Sequence, residues 1–188
     1  SMRAKGIDYF ENSRRATLAQ RAYAIDNPGN YEGYDANEWG LTACDGPVDL
    51  KLRVGDRDIQ FWTYRARGAA LGEIVDDGTI APTAAASSIA FTPQESTAAI
   101  EEMIRRYGDN LYQQYGFLDS FNDTLDLTMV KLQHGRVIPG LGWFDGDHLG
   151  IDQGPIVAMI ENYKSELVWK TMRRNEHVRR GLRRAGFT

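Results

Sequence analysis

At 188 residues and 21.1 kDa, with 42% apolar and 26% charged residues, the chain has room for one domain, or two small ones at most, and is too ordinary in composition for a disordered or fibrous protein. No apolar run approaches the ~18 residues of a membrane span, and the single cysteine, Cys44, can form neither an intramolecular disulfide nor a cysteine-rich zinc site. Charge is divided unevenly: Lys170 to Arg184 holds seven Lys/Arg against one acid, leaving 15 basic and 25 acidic residues elsewhere. An acidic body with 20 aromatics suits neutral ligands that stack on rings and hydrogen-bond to carboxylates, and it disfavours nucleic acid. Ser1 reads as a cleavage scar before a native Met2, and no basic-then-apolar leader follows, so no export signal is expected in the chain as given, while a longer parent could carry one.

The first predicted element is a helix from Tyr9 to Ile25, stopped by Asn27-Pro28-Gly29. Gly29 to Ala36 is rich in turn residues, and Asn37 to Ala43 is a short helix at best. Val48 to Arg67 alternates weakly around Gly55-Asp56, as a β-hairpin does. Gly68 to Pro82 reads as loop and Thr83 to Ile89 as a short helix. Thr92, Pro93 and Glu95 form a helix start ahead of the face Ile100, Met103, Ile104, Tyr107 and Leu111. Leu125 to Val137 suggests a second hairpin around Gly135, Pro155 opens another helix, and Leu167 to Arg184 gives one or two more. The fold class is therefore mainly α, with β-hairpin inserts and long loops rich in Gly, Asp and aromatics, which are unusual for inert connections.

G-x-S-x-G, the phosphate-binding loop, H-E-x-x-H and CxxC are all absent. His134, His148 and His177 lie far apart and read as surface or hydrogen-bonded histidines. What recurs is carboxylates beside aromatics at loop–helix junctions: Glu38-Trp39 with Asp45, then Asp76-Asp77, then Phe117 to Asn122, then Trp143 with Asp152. Glycoside cleavage needs one carboxyl to protonate the leaving oxygen and another to activate water or attack carbon, while ring faces pack against sugars. Taken singly, each cluster also has an ordinary structural explanation: Asp152 as a helix-start acid, Asp-Gly pairs as turns, and Trp39 or Trp143 as core.

Six motifs in one order carry more. Asn37-Glu38-Trp39-Gly40-Leu41-Thr42-Ala43-Cys44-Asp45-Gly46-Pro47 is followed by Tyr64-Arg65-Ala66-Arg67-Gly68-Ala69 and then by Asp76-Asp77-Gly78-Thr79-Ile80-Ala81-Pro82. Phe91-Thr92-Pro93, Tyr115-Gly116-Phe117-Leu118-Asp119-Ser120-Phe121-Asn122 and Gly150-Ile151-Asp152-Gln153-Gly154-Pro155 come next. The series, from Tyr9 to Trp169, resembles the bacterial glucoamylase-like domain, which occurs in glucoamylases, in endo-β-1,2-glucanases and beside cyclic β-1,2-glucan synthase modules. The resemblance implies the C-terminal part of an (α/α)6 six-hairpin barrel, with residues 2–188 one domain and 167–188 a basic amphipathic helical tail. It further implies a glycoside hydrolase acting on glucans, without a cofactor or metal, and with a periplasmic or membrane-associated setting in the parent family.

By the same resemblance Asp152 is the candidate acid/base residue. Trp39, Asp45, Tyr64, Arg67, Asp77, Phe117, Phe121 and Asn122 are candidate substrate-binding residues, with Trp39 and Phe121 as sugar platforms. Glu38 stands where the motif varies and is assigned no catalysis. Asp152, Asp77 and Trp39 are expected to face one cleft. The proton donor is expected from the absent N-terminal half, so the chain is expected to be incomplete: to dimerise, to rearrange its helices, or to need the other half-barrel. The alternative is a non-catalytic glucan-binding or assembly module from a truncated gene. The basic segment 170–184 reads as a solvated amphipathic helix, or else as a contact for an anionic membrane.

Overall fold

The structure of the chain, a computed structural model, describes residues 3–70 and 72–187. The expectations about Ser1 and Met2, and Leu71 of the predicted 68–82 loop, lie outside the described residues. About 40% of the chain is helical, and the rest includes small antiparallel sheets.

Helix α1, Tyr9–Asp26, begins where the Asp8 carboxylate accepts the Phe10 and Glu11 N–H groups at 3.1 and 3.2 Å, satisfying two of the donors a helix start leaves open. It ends on Asn27 in the left-handed region, φ 40°, whose N–H returns to the Tyr23 carbonyl. Helix α2 is only Pro82–Ala86, shorter than predicted, and α3 runs Pro93–Tyr107. Pro93 takes the first position of α3 as expected, but Thr92 makes no capping bond. Its hydroxyl instead lies 3.1 Å from that of Ser96.

Helix α4, Gly150–Ser165, begins five residues before Pro155. The Leu149 carbonyl accepts both Asp152 N–H and Gln153 N–H, at 3.0 and 3.1 Å, so the first turn closes without the proline, and the predicted start at Pro155 is corrected. Helices α5, Leu167–Arg174, and α6, Glu176–Arg184, divide the basic segment at Asn175, which caps α6 through its side chain.

Strands 50–54 and 57–61 form the predicted hairpin about Gly55-Asp56. The stretch 37–43 is not helical; Ala43–Asp45 instead pairs with Tyr64–Ala66. Residues 68–70 and 73–75 pair as well, where loop was expected. The second hairpin is displaced: 136–138 pairs with 142–144, which also pairs with 121–122. The turn lies at Pro139-Gly140, with Gly140 at φ 82° and Leu141 N–H bonded to the Ile138 carbonyl. Gly135 has another role. A Cβ there would lie 2.0 Å from the Phe144 carbonyl oxygen, so it permits a close backbone approach.

Two apolar clusters hold these pieces together. One packs Trp39, Ile80, Met103, Tyr107, Phe121 and Phe144; the other packs Ile59, Phe61, Leu125 and Trp143. Each such side chain contributes roughly 1.5–3 kcal/mol of burial, so the loops between helices, rather than helix-on-helix contact alone, carry much of the core. The outer helices are less satisfied. Of α4 only Asp152, Ile156 and Asn162 are buried, while Ile151 and Val157 are 79% and 67% exposed. Tyr163, Leu167 and Met172 are also exposed. No described helix is long and apolar enough to cross a membrane.

Candidate active site

The register of the 43–45/64–66 pair sets Tyr64 opposite Asp45. Gly46, the next residue, must be glycine, because a Cβ there would lie 2.1 Å from the Trp62 carbonyl oxygen. From across the sheet the loop carrying Asp119 comes in. It is held by Asp119 N–H to the Asp147 carbonyl at 3.0 Å and by Asp45 N–H to the Asp119 carboxylate at 2.7 Å. Asp152 stands in the first turn of α4, where a carboxylate is favoured by the helix dipole, and its carbonyl accepts the Thr83 hydroxyl of α2 at 3.3 Å.

These pieces enclose a pocket of about 470 Å³ whose lining includes Asp45, Tyr64, Asp119, Ile151 and Asp152. Tyr64 is 62% exposed and offers a free ring. The Asp119 and Asp152 carboxyls are near enough to influence each other's protonation, and the buried Asp152 Oδ2 has no hydrogen-bond partner. Burial pushes Asp119 up to about 8, with Asp152 adding to the rise. Burial raises Asp152 too, against a lowering influence of Asp119. Asp145, wholly buried behind them, is raised by burial as well. Among the described residues, none of these acids nor Asp45 forms an ion pair with Lys, Arg or His.

The other predicted site residues lie behind the pocket rather than in its lining. Arg67 and Asp77 are fully buried and face each other in a two-pronged ion pair at 2.7 and 2.8 Å. The same guanidinium also donates to the Cys44 carbonyl at 2.9 Å, so the pair holds the strand that ends in Asp45. Asn122 is buried and donates to the Asp77 carbonyl and the Thr79 hydroxyl. Phe121 lies between Tyr107 and Phe144, Phe117 meets Tyr112, and Trp39 is core. The single cleft expected for Asp152, Asp77 and Trp39 is therefore corrected. Trp39 and Phe121 present no ring face to a sugar here, and Tyr64 is the exposed ring of the pocket.

A second pair of buried carboxyls, Glu38 and Asp123, has the opposite surroundings. The Tyr107 hydroxyl lies between both, 2.6 Å from a Glu38 oxygen and 2.7 Å from an Asp123 oxygen, and Arg106 bridges both, at 2.7 and 3.0 Å. Burial and the neighbouring Asp123 push Glu38 up to about 8, and burial pushes Asp123 up to about 6. Gly33 gives the pair room: a Cβ there would lie 2.1 Å from a Glu38 oxygen.

Sequence reasoning placed Asp119 inside a motif without assigning it to the site, and it missed Asp145 altogether. Asp145-Gly146 is indistinguishable from a turn until the 142–144 strand is seen to deliver it beside Asp119.

Residues 2–176 match the family described as "Putative glucoamylase". The chain belongs to that family. The glucoamylase-like chain is 31% identical over 180 residues to an exo β-1,2-glucooligosaccharide sophorohydrolase (non-reducing end) of Parabacteroides distasonis, spanning 96% of this chain but 20% of the relative. All of it superposes on a putative glucoamylase from Bacteroides caccae, with TM-score 0.78 and 34% identity over 38% of that chain. All of it likewise superposes on an endo-β-1,2-glucanase from Chitinophaga pinensis complexed with sophorotriose and glucose, with TM-score 0.76 and 32% identity over 37% of that chain. The chain thus spans about a fifth of the curated relative and well under half of these solved neighbours.

Proposed function

We propose that this chain is the pocket-bearing C-terminal part of an (α/α)6-barrel hydrolase acting on β-1,2-linked glucan. The observation that carries this reading is the convergence of Asp152, Asp119 and Asp45 with the exposed ring of Tyr64 on one pocket, in a chain whose relatives are β-1,2-glucan hydrolases. Asp152 is the carboxyl set against the substrate, Asp119 positions it, and Tyr64 is the surface on which a glucose ring packs.

Glycoside cleavage needs two carboxyls in separate roles, and Asp152 is one of them. Glycosidase carboxyls stand about 5–5.5 Å apart in retaining enzymes and about 6.5–9.5 Å apart in inverting ones. Asp119 and Asp152, whose carboxyls influence each other's protonation, are read as one functional unit. The second carboxyl then comes from the rest of the barrel, whose helices would cover the exposed Val157 and Tyr163. Alone, the chain binds glucan without turning it over, or pairs with another copy or with the missing half through that apolar surface. The glucan-binding module remains the second reading, favoured by the same single carboxyl unit. A minor contact of the Lys170–Arg184 face with anionic bilayers is part of the proposal, checked by vesicle binding that salt removes.

Calorimetric titration of the chain with sophorotriose tests the main reading. Saturable binding that weakens at least about tenfold in Tyr64→Ala, consistent with loss of a stacking ring, is the expected result. No binding, or equal binding by the variant, would refute it.

A further inference from the structure

Asp45, Asp119 and Asp145 each bring a carboxylate oxygen to one place, all within 4.8 Å of one another. Two oxygens coordinated at 2.3–2.6 Å to a single calcium ion are at most about 5 Å apart, so this trio has the span of ligands on a common ion. A second observation makes it more than an acidic cluster. Asp145 is wholly buried, and its Oδ1 has no hydrogen-bond partner. Leaving a buried carboxylate oxygen unpaired is costly, and three carboxylates that close repel one another unless they take up protons or something positive stands between them. No Lys, Arg or His does so in any described ion pair, although Asp77 and Glu38, equally buried, each have an arginine.

We propose that Asp45, Asp119 and Asp145 hold one calcium ion beneath the pocket floor. The donors are all oxygen, the set preferred by a hard cation over zinc or copper. The Asp45 carboxylate also lies within 4.8 Å of Asp147 and His134, a separate grouping on its exposed side. The three segments are already tied together without the ion: Ser120 Oγ donates to the Asp45 carbonyl at 2.8 Å, and Asp145 N–H to the Ser120 carbonyl at 3.0 Å. The ion therefore meets a formed cage. It neutralises the strand end carrying Asp45 and fixes the pocket floor, whether or not the pocket binds glucan.

The test is calorimetric titration of calcium chloride into chelator-treated chain, with thermal unfolding followed in parallel. One ion per chain and a melting temperature raised by several degrees at saturation are expected, both lost in Asp145→Asn. Asp45→Asn, at the partly exposed edge, must also lose them, and it stands in if Asp145→Asn fails to fold. Absence of heat and of any melting shift, a shift matched by sodium chloride at equal ionic strength, or a full calcium response in Asp45→Asn overturns the proposal.

Discussion

The chain contains two groups of buried acids with opposite treatment. In the interior, Asp77 has Arg67, and the Glu38/Asp123 pair has Arg106 and the Tyr107 hydroxyl. At the pocket, Asp45, Asp119, Asp145 and Asp152 converge without an ion pair to Lys, Arg or His among the described residues. The first group is structural: an arginine faces its carboxyls within the fold, and its side chains brace strands and loops. In the second group the carboxyls are buried beside a pocket with no ion pair, and burial raises Asp119, Asp145 and Asp152, a perturbation typical of a functional site rather than a scaffold.

Three substitutions separate the two groups. Arg67→Ala leaves Asp77 buried and unpaired and is expected to cost about 3–5 kcal/mol, enough to remove most of a marginal domain's stability; urea unfolding measures it. A loss under about 1 kcal/mol would place this pair among those of little consequence.

The next effect is in pH. Glu38 faces Asp123, Arg106, Tyr107 and the nearby Asp35, and it keeps its proton up to about 8 when folded against an ordinary 4.5. The folded chain therefore binds more protons between those values, and stability falls as pH rises from about 4.5 to about 8. Glu38→Gln is expected to shrink the difference between pH 5 and pH 8 by about 1 kcal/mol or more, leaving a residual slope to the other buried acids. An unchanged slope in denaturant titrations at the two pH values would show that this carboxyl is ionised in the fold.

The smallest effect has the reverse sign. Asp152→Asn in calcium-free buffer is expected to gain about 0.5–1 kcal/mol, because it relieves a crowded acidic site. A loss of similar size would mean that Asp152 is structural.

Much of the fold was legible where local chemistry decides. The Asn27 stop ends α1, Pro93 begins α3, and Gly55-Asp56 turns the hairpin. The misreadings came where tertiary contact decides. Gly135 looks like a turn but is a point of close approach to Phe144, and Pro155 looks like a helix start but follows a turn already closed on Leu149.

The site divides similarly. Asp152, Asp45 and Tyr64 lie at the pocket, each within a motif quoted from the sequence. Trp39, Phe121, Arg67 and Asp77 share those motifs yet are interior. A run of residues shows which segments build a site, and strand parity and packing decide which of their side chains reach it. Asp145 illustrates the converse, an acid of no evident importance in sequence that pairing of 142–144 with 121–122 carries to the cluster.

The central claim is that these acids and Tyr64 form a sugar-binding pocket, and the most direct measurement is residue-resolved NMR of the chain titrated with the same β-1,2-linked glucose trimer. Backbone shifts concentrated at Asp45, Tyr64, Asp119, Ile151 and Asp152 are the predicted result. Shifts centred instead on the open groove between α3 and α4 at Gln94, Glu101 and Tyr163, or spread without a centre, would contradict it.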